Sequence, residues 1–246
     1  MCGSRGYTGA AALSAMGALR CGAGLVYLAV PESIYAIEAI KLNEPVVLPM
    51  PETQAEAVGL VQTLLPKMDA VLVGPGMGWN ERTFAIVQTV LAEFQGPVVL
   101  DADGINVLSG HIDILRGRTG TTILTPHEGE FVRIGGELSG DRTLAARKLA
   151  QSTNSIILLK GHGTVITDGV RDYINPTGNP GMAVGGSGDV LSGIITALLG
   201  QGLEPLEAAA CGAWLHGAAG DICAKKIGQY GMLPMDMLNV LPRLLK

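Results

Sequence analysis

Four consecutive small residues, Gly185, Gly186, Ser187 and Gly188, stand directly before Asp189 and an apolar run, within the stretch 179–199, NPGMAVGGSGDVLSGIITALL. Small residues let the backbone fold tightly and turn several N–H groups toward one point. A helix N-terminus behind them adds partial positive charge, which makes that point an anion site. A carboxylate at the same end stays ionised and is placed to take a proton from a hydroxyl beside the anion. Anion cradle plus base is what transfer of a phosphoryl group to an alcohol requires. The plainer alternative is a flexible turn with Asp189 as N-cap, the common role of such an Asp. A second turn immediately upstream, Asn179-Pro180-Gly181, makes the stretch longer than a cap needs.

Strands must deliver this chemistry, and the chain supplies several that end in reactive residues. Residues 70–73, AVLV, form an apolar run suited to a strand buried on both faces, followed by Gly74-Pro75-Gly76-Met77-Gly78 and by Asn80 as cap of the next helix. The G-x-G-x-G spacing is neither the dinucleotide fingerprint nor a Walker A loop, and a plain tight turn explains it equally well. The strand in 97–103, PVVLDAD, ends in Asp101 and Asp103. Paired acids there either hold Mg²⁺ through water or cap the helix starting near Gly104, and no metal ligand is assigned. Residues 122–130, TILTPHEGE, place His127 between a strand end and two carboxylates. Residues 155–159, SIILL, deliver Lys160, Gly161, His162, Gly163 and Thr164. A Lys at a strand end beside glycines suits a phosphate or nucleotide, acting as a point charge. A hairpin follows, 164–167 and 170–174 around Asp168-Gly169.

Around these lie supporting elements. Residues 1–24 pass from a turn into an Ala-rich helix with Thr8 as N-cap, and no strand precedes it, although a parallel α/β fold normally has one. The helix 141–153 carries Arg142, Arg147 and Lys148 on a solvated face, and the long helix 204–226 holds His216 and Asp221 in structural roles. Cys211 and Cys223 read as small core residues. A final helix from Pro234 closes the core or an oligomer contact. Strands alternating with helices, without repeat or linker, predict one α/β domain over 1–246 with a mostly parallel sheet.

Composition narrows the partners. The 246 residues are 48% hydrophobic, enough for one sizeable core. A formal charge of −5 and 4% aromatics argue against a nucleic-acid surface or a base-stacking platform. Four cysteines without CxxC spacing suggest a reducing cytoplasm. Every apolar run is broken before the ~18 residues a spanning helix needs, so no membrane partner is expected.

The stretch 179–193 resembles the phosphate loop of ADP- or ATP-dependent (S)-NAD(P)H-hydrate dehydratases, members of the ribokinase-like superfamily, in the pattern N-P-G-M-A-x-G-G-[ST]-G-D-V-L-x-G. The likeness extends from about Gly3 to the end of the chain. It implies a three-layer α/β/α ribokinase-like fold and dehydration of (6S)-NADHX or (6S)-NADPHX, driven by ADP or ATP with Mg²⁺. Asp189 becomes the base, with Gly186, Ser187 and Gly188 stabilising the phosphoryl group. The K-G-x-x-T match assigns 160–164 and Gly188 to the adenine nucleotide, with His162 at a variable position. The G-A step, the G-P-G-M-G turn and the T-P-H-x-G-E motif assign Ala10, Gly76, Gly78, His127 and Asp189 to the hydrated nicotinamide. The resemblance also implies a preference for ADP, a homotetramer, partnership with an NAD(P)HX epimerase, and a first strand ending at Gly3-Ser4 whose body these residues lack. A small-molecule kinase of the same superfamily, acting on a vitamin-precursor alcohol, and a non-catalytic nucleotide-binding protein are the alternatives.

Overall fold

Short apolar runs bounded by glycine and proline become the strands of a layered domain. The computed structural model describes residues 1–138 and 140–245. In it β1 (Tyr27–Pro31) and β2 (Val46–Met50) pair in parallel. A second sheet takes β3 (Val71–Val73), β4 (Val98–Leu100), β5 (Thr122–Leu124), β6 (Ile156–Leu159), β7 (Val165–Thr167) and β8 (Asp172–Ile174) in that spatial order. The pairs from β3 to β6 are parallel, whereas β7 and β8 return antiparallel as the expected hairpin.

Successive strand residues face opposite sides of a sheet, and this alternation builds two cores. Leu72, Val99, Ile123, Leu158 and Ile166 enter one, against α1 (Thr8–Arg20), α8 (Ser187–Gly200), α9 (Pro205–Ile227) and α10 (Pro234–Leu244). Val71, Val98, Leu124, Ile157 and Val165 enter the other, against α3 (Gln54–Leu64), α4 (Glu81–Glu93) and α7 (Arg142–Thr153). The result is three layers, α/β/α. The remaining helices are α2 (Glu32–Lys41), beside β1 and β2, and the short α5 (Asp103–Asn106) and α6 (Glu128–Arg133) at strand ends.

Local signals set most helix starts. Asn80 accepts from the Thr83 N–H at 2.9 Å and Asp141 from the Thr143 N–H at 2.8 Å, each satisfying a donor the helix leaves unpaired. Two expectations are corrected. Thr8 is the first residue of α1 rather than its cap: the Tyr7 N–H closes a turn onto the Ser4 carbonyl at 2.8 Å, and the Thr8 hydroxyl accepts from Lys41 at 3.3 Å. Cys211 is exposed, because α9 buries Ala209, Gly212 and Ala213 and turns position 211 outward, while Cys223 is buried.

Met1, Cys2 and Gly3 run between the two sheets. The Met1 ammonium donates to the Leu72 carbonyl at 2.7 Å, the Gly74 N–H to the Met1 carbonyl at 3.2 Å, and the Cys2 N–H to the Ala29 carbonyl at 3.3 Å. The Gly3 N–H follows, donating to the Pro75 carbonyl at 2.7 Å. Below it, the facing edges of β1 and β3 line a cavity of about 450 Å³ reached by Tyr27, Ala29, Leu65, Leu72 and Thr196.

Helices α1 and α8 cross at backbone contact. A Cβ added to Gly193 would lie 2.2 Å from the Ser14 carbonyl oxygen, and one on Gly17 would lie 2.7 Å from that of Val190. Gly193→Ala is expected to destabilise the fold by about 1–3 kcal/mol through overpacking. Urea unfolding measures this, and an unchanged midpoint would refute the close crossing.

Candidate active site

All the motifs singled out above emerge at one edge of the large sheet, the carboxyl ends of its parallel strands. That edge is where ligands meet open α/β sheets. The 74–78 turn follows β3, Asp101 follows β4, His127 follows β5 and Lys160 follows β6. The N-terminal ends of α1 and α8 close over the same edge, where a Cβ on Gly186 would meet the Leu13 side chain at 2.4 Å.

Helix α8 begins with Ser187, and Gly186 takes the preceding position at φ +92°, a conformation suited to glycine. Asp189 is therefore the third helical residue and not the cap. No side chain caps this N-terminus, so first-turn N–H groups, with the helix dipole behind them, stay available to an anion. Two buried partners hold the turn from behind. His216, on α9, lies 3.2 Å from the Ser187 hydroxyl through Nε2. Burial, aided by the charge of Lys160, drives the His216 pKa down to about 4, so this ring is neutral near pH 7. Asp221, also on α9, accepts from the Gly178 N–H at 3.0 Å and from Asn179 Nδ2 at 2.9 Å. Both roles are structural, as expected, yet their targets were not legible from sequence.

Lys160 does not extend toward solvent. Its ammonium lies 2.8 Å from Asp101 Oδ1 and 3.8 Å from Glu130 Oε2, both carboxylates being almost fully buried. A Cβ on Gly188 would stand 3.3 Å from the Lys160 Nζ and 3.8 Å from Asp101 Oδ2. The ammonium is therefore directly beneath the phosphate-loop candidate. Burial alone would lower the Lys160 pKa, but Asp101, Glu130 and Asp189 together hold it above the ordinary lysine range. Burial pushes the Asp189 carboxyl up to about 6; Asp101 adds to the rise and Lys160 opposes it.

Two of the residues assigned to the hydrated nicotinamide, Ala10 and Gly76, meet in the structure. A Cβ on Gly76 would come within 2.9 Å of the Ala10 Cβ, so these two positions touch. The Gly78 N–H donates to Asp103 Oδ2 at 2.8 Å. Asp101 and Asp103 thus neither cap α5 nor sit free: one anchors Lys160 and the other anchors the 74–78 turn. His127 is the N-cap of α6, its Nδ1 accepting from the Gly129 N–H at 3.0 Å and from the Glu130 N–H at 3.2 Å. Its Nε2 lies 3.4 Å from Glu130 Oε1. The 160–164 loop closes on itself, with the Thr164 hydroxyl donating to the Gly161 carbonyl at 2.9 Å, and leaves His162 exposed. Arg142 is corrected from a solvated residue: it covers this loop, donating to the Lys160 carbonyl at 3.0 Å and pairing with Glu128 at 3.1 Å.

Ala102, between the two site aspartates, has φ +49° and ψ −115°. Its N–H donates to Asp101 Oδ1 at 2.9 Å. A non-glycine residue in this region is strained, and such strain concentrates at functional sites. Nothing in the local sequence signals it, since alanine is ordinarily at ease in strand or helix.

A half-buried acid at an uncapped helix N-terminus, on the carboxyl edge of a three-layer α/β/α sheet, is the arrangement of a ribokinase-like domain. Comparison with known proteins narrows the class. A family model described as NAD(P)H-hydrate dehydratase matches residues 1–243, and the chain belongs to that family. The bifunctional NAD(P)H-hydrate repair enzyme Nnr of Moorella thermoacetica is 45% identical over 255 residues, covering 99% of this chain and 48% of that enzyme. Its Escherichia coli counterpart is 37% identical over 98% of this chain and 46% of its own length. The chain spans about half the length of the curated relatives it matches. The ADP/ATP-dependent NAD(P)H-hydrate dehydratase of Bacillus subtilis, co-crystallized with ATP/Mg²⁺ and soaked with CoA, superposes with TM-score 0.85 at 30% identity, over 99% of this chain and 88% of that one. A hydroxyethylthiazole kinase from Pyrococcus horikoshii shares the fold at TM-score 0.66 and 18% identity.

The raised Asp189 pKa has a stability consequence. A carboxyl whose native pKa exceeds its unfolded value contributes stability below about pH 4, and that contribution is lost as pH rises through about 6. Asp189→Asn is therefore expected to be more stable than the wild type at pH 8, by on the order of 2 kcal/mol, with the difference vanishing near pH 4. Denaturant unfolding at the two pH values checks it. Ala102→Gly is expected to add about 1 kcal/mol by relieving strain, and a loss of stability would contradict that reading.

Proposed function

We propose that this chain catalyses the ADP- or ATP-dependent dehydration of (6S)-NADHX and (6S)-NADPHX to NADH and NADPH, releasing phosphate. The observation that supports it best is Asp189, half-buried beside an uncapped helix N-terminus with Lys160 beneath, in a chain of the NAD(P)H-hydrate dehydratase family. Hydroxide is a poor leaving group, and the nucleotide supplies the phosphoryl group that makes it a good one. Asp189 takes the proton of the hydrate hydroxyl as its oxygen attacks phosphorus. The N–H groups of the Gly185–Gly188 turn and of the first turn of α8 hold the charge developing on the phosphoryl oxygens. The C–O bond then breaks with its electron pair leaving on phosphate, and loss of a proton from the neighbouring carbon restores the ring double bond. With ADP the products are the reduced cofactor, AMP and phosphate.

The residues present fit the nucleotide, because the uncapped α8 N-terminus is an anion cradle with a cation below it. We assign the adenine nucleotide to the loop of Lys160, Gly161, His162, Gly163 and Thr164 with Gly188, and the hydrated nicotinamide to Ala10, Gly76, Gly78, His127 and Asp189. Mg²⁺ fits as an ion carried by the nucleotide phosphates: among the described residues no three His, Cys, Asp or Glu side chains converge as a ligand group. Among them, too, no helix is long and apolar enough to cross a membrane. We also propose a cytoplasmic homotetramer that works with an NAD(P)HX epimerase activity; the bifunctional relatives support the last of these. We read 1–246 as one domain.

Absorbance at 340 nm after mixing the protein with NADHX, Mg²⁺ and either ADP or ATP tests the reading. A rise that depends on nucleotide establishes the dehydratase and names its phosphoryl donor. No rise, with a stable phosphorylated product from a vitamin-precursor alcohol, would replace it with a small-molecule kinase. Asp189→Asn is expected to lower turnover at least ~10²-fold; turnover close to that of the wild type would remove Asp189 from the base role.

A further inference from the structure

The proposed substrate is a dinucleotide, yet Ala10, Gly76, Gly78, His127 and Asp189 account only for its nicotinamide end. Strand order restricts where the other end can lie. The nucleotide loop 160–164 follows β6 and the 74–78 turn follows β3, with β4 and β5 between them. Three strand spacings set those two loops about 14 Å apart. A Cβ on Gly188 would stand 3.3 Å from Lys160 Nζ and 3.8 Å from Asp101 Oδ2. The turn before Asp189 thus stands over the residues that follow β4 and β6, on the nucleotide side, and leaves the β3 side of the edge to the second ligand.

Beyond Gly78, that side carries an aromatic face and a cation held together. Trp79 is 60% exposed, and the Arg133 guanidinium carbon lies over its ring, 5.4 Å from the centroid, a cation–π distance. Arg133 covers one face of the indole and leaves the other open. A closed circuit of contacts fixes the pair. The Gly78 N–H donates to Asp103 Oδ2 at 2.8 Å, Asn106 Nδ2 donates to Asp103 Oδ1 at 3.1 Å, and Arg133 Nη1 donates to Asn106 Oδ1. The Ser109 hydroxyl also holds the Arg133 carbonyl, at 3.2 Å. Trp79 follows Gly78 in the chain, so the circuit returns to its start through the β3 turn, α5 and α6. Exposed Trp and Arg side chains ordinarily lose freedom when a ligand orders them, and here the fold has already restricted both. Arg133 forms no ion pair among the described residues, and a guanidinium has further N–H donors beyond the one spent on Asn106.

Resting on the dehydratase reading, we propose that Trp79 and Arg133 form a subsite for the adenosine half of the dinucleotide substrate. The open face of the indole stacks on the purine, and the guanidinium pairs with a phosphate of the dinucleotide. Stacking that tolerates any base and charge-assisted pairing with phosphate are what these two groups supply. The three links from Gly76 to Trp79 span at most about 11 Å, a distance that the ribose–diphosphate bridge covers between nicotinamide and purine. ADP or ATP keeps its own loop after β6, so the two adenines lie at opposite ends of the edge.

Both side chains are exposed, so Trp79→Ala, Trp79→Phe and Arg133→Gln leave the core intact. Calorimetry on the full chain would measure Kd for NADPH, NADH, the reduced mononucleotide NMNH and ADP. Trp79→Ala is expected to weaken NADPH and NADH at least about fivefold, the low end of one lost stacking contact. Trp79→Phe should recover most of that loss, and neither variant should change NMNH, which lacks the purine. Arg133→Gln is expected to weaken NADPH about tenfold. An equal loss for NADH puts the guanidinium on the diphosphate bridge; a smaller one puts it on the 2′-phosphate of NADPH. ADP affinity should stay within about twofold in every variant, and KM for NADPHX should rise with the NADPH Kd. Variants that bind NADPH as the wild type does overturn the proposal. So does a Trp79→Ala loss that falls equally on ADP or NMNH. A changed oligomeric state in sedimentation, with NADPH affinity unmoved, makes the pair a subunit contact and overturns it too. Binding needs no turnover. A wild type that binds NADPH without a nucleotide-dependent rise at 340 nm loses the dehydratase activity and keeps this subsite, whereas one that binds no NADPH loses the subsite.

Discussion

One half-buried ammonium held between two buried carboxylates is the constraint on which the rest of this site depends. Removing a carboxylate from water is unfavourable by several kcal/mol unless a cation and hydrogen bonds replace the solvent. Here Lys160 replaces it for Asp101, and the backbone N–H of Ala102 takes up the same oxygen. Every element that contributes to the cluster must therefore stop at the correct height. Asp101 directly follows β4, Lys160 directly follows β6, and α6 starts directly after its cap His127 so that Glu130 reaches back to the His127 N–H. The parallel register of β4, β5 and β6 sets these ends side by side.

Small residues supply the second constraint, which is closeness. Ser14 and Gly193 let α1 and α8 approach to backbone contact, and this fixes the N-terminal ends of both helices relative to the sheet. Gly76 meets Ala10 in the same manner, and Gly74 has no room for a side chain against the Asp101 carbonyl. The proposed substrate residues thus come together through missing side chains rather than through attractive contacts. A site built this way tolerates little enlargement, because protein interiors transmit small displacements instead of absorbing them.

Much of this was legible in the chain itself. The alternation of apolar runs with amphipathic stretches predicted an α/β domain with a mostly parallel sheet, the resemblance implied its three layers, and the hairpin around Asp168 lies where its turn residues indicated. Asn80 caps its helix as its spacing predicted. What was missed shares a physical cause. Thr8 loses its capping role because a turn upstream sets the start of α1, and Cys211 faces outward because its neighbours on α9 are smaller and better placed to pack. Arg142 turns from solvent to the Lys160 carbonyl because that carbonyl lacks a strand partner beyond β6. Each outcome hangs on a neighbour distant in sequence.

The sequence by itself determined which chemistry is possible: an acid at the head of an apolar helix, glycines before it, and Lys, His and Asp residues at strand ends. Local backbone preference and burial are enough for that, since they act on neighbours along the chain. Only the tertiary structure decided which charges meet. Asp101 and Lys160 are 59 residues apart and Ser187 and His216 are 29 apart, and their pairing follows from strand order and helix crossing, which no local pattern encodes. The same long-range packing pushes Asp189 up to about 6 and His216 down to about 4, because a pKa responds to the solvent excluded and the charges assembled around a group.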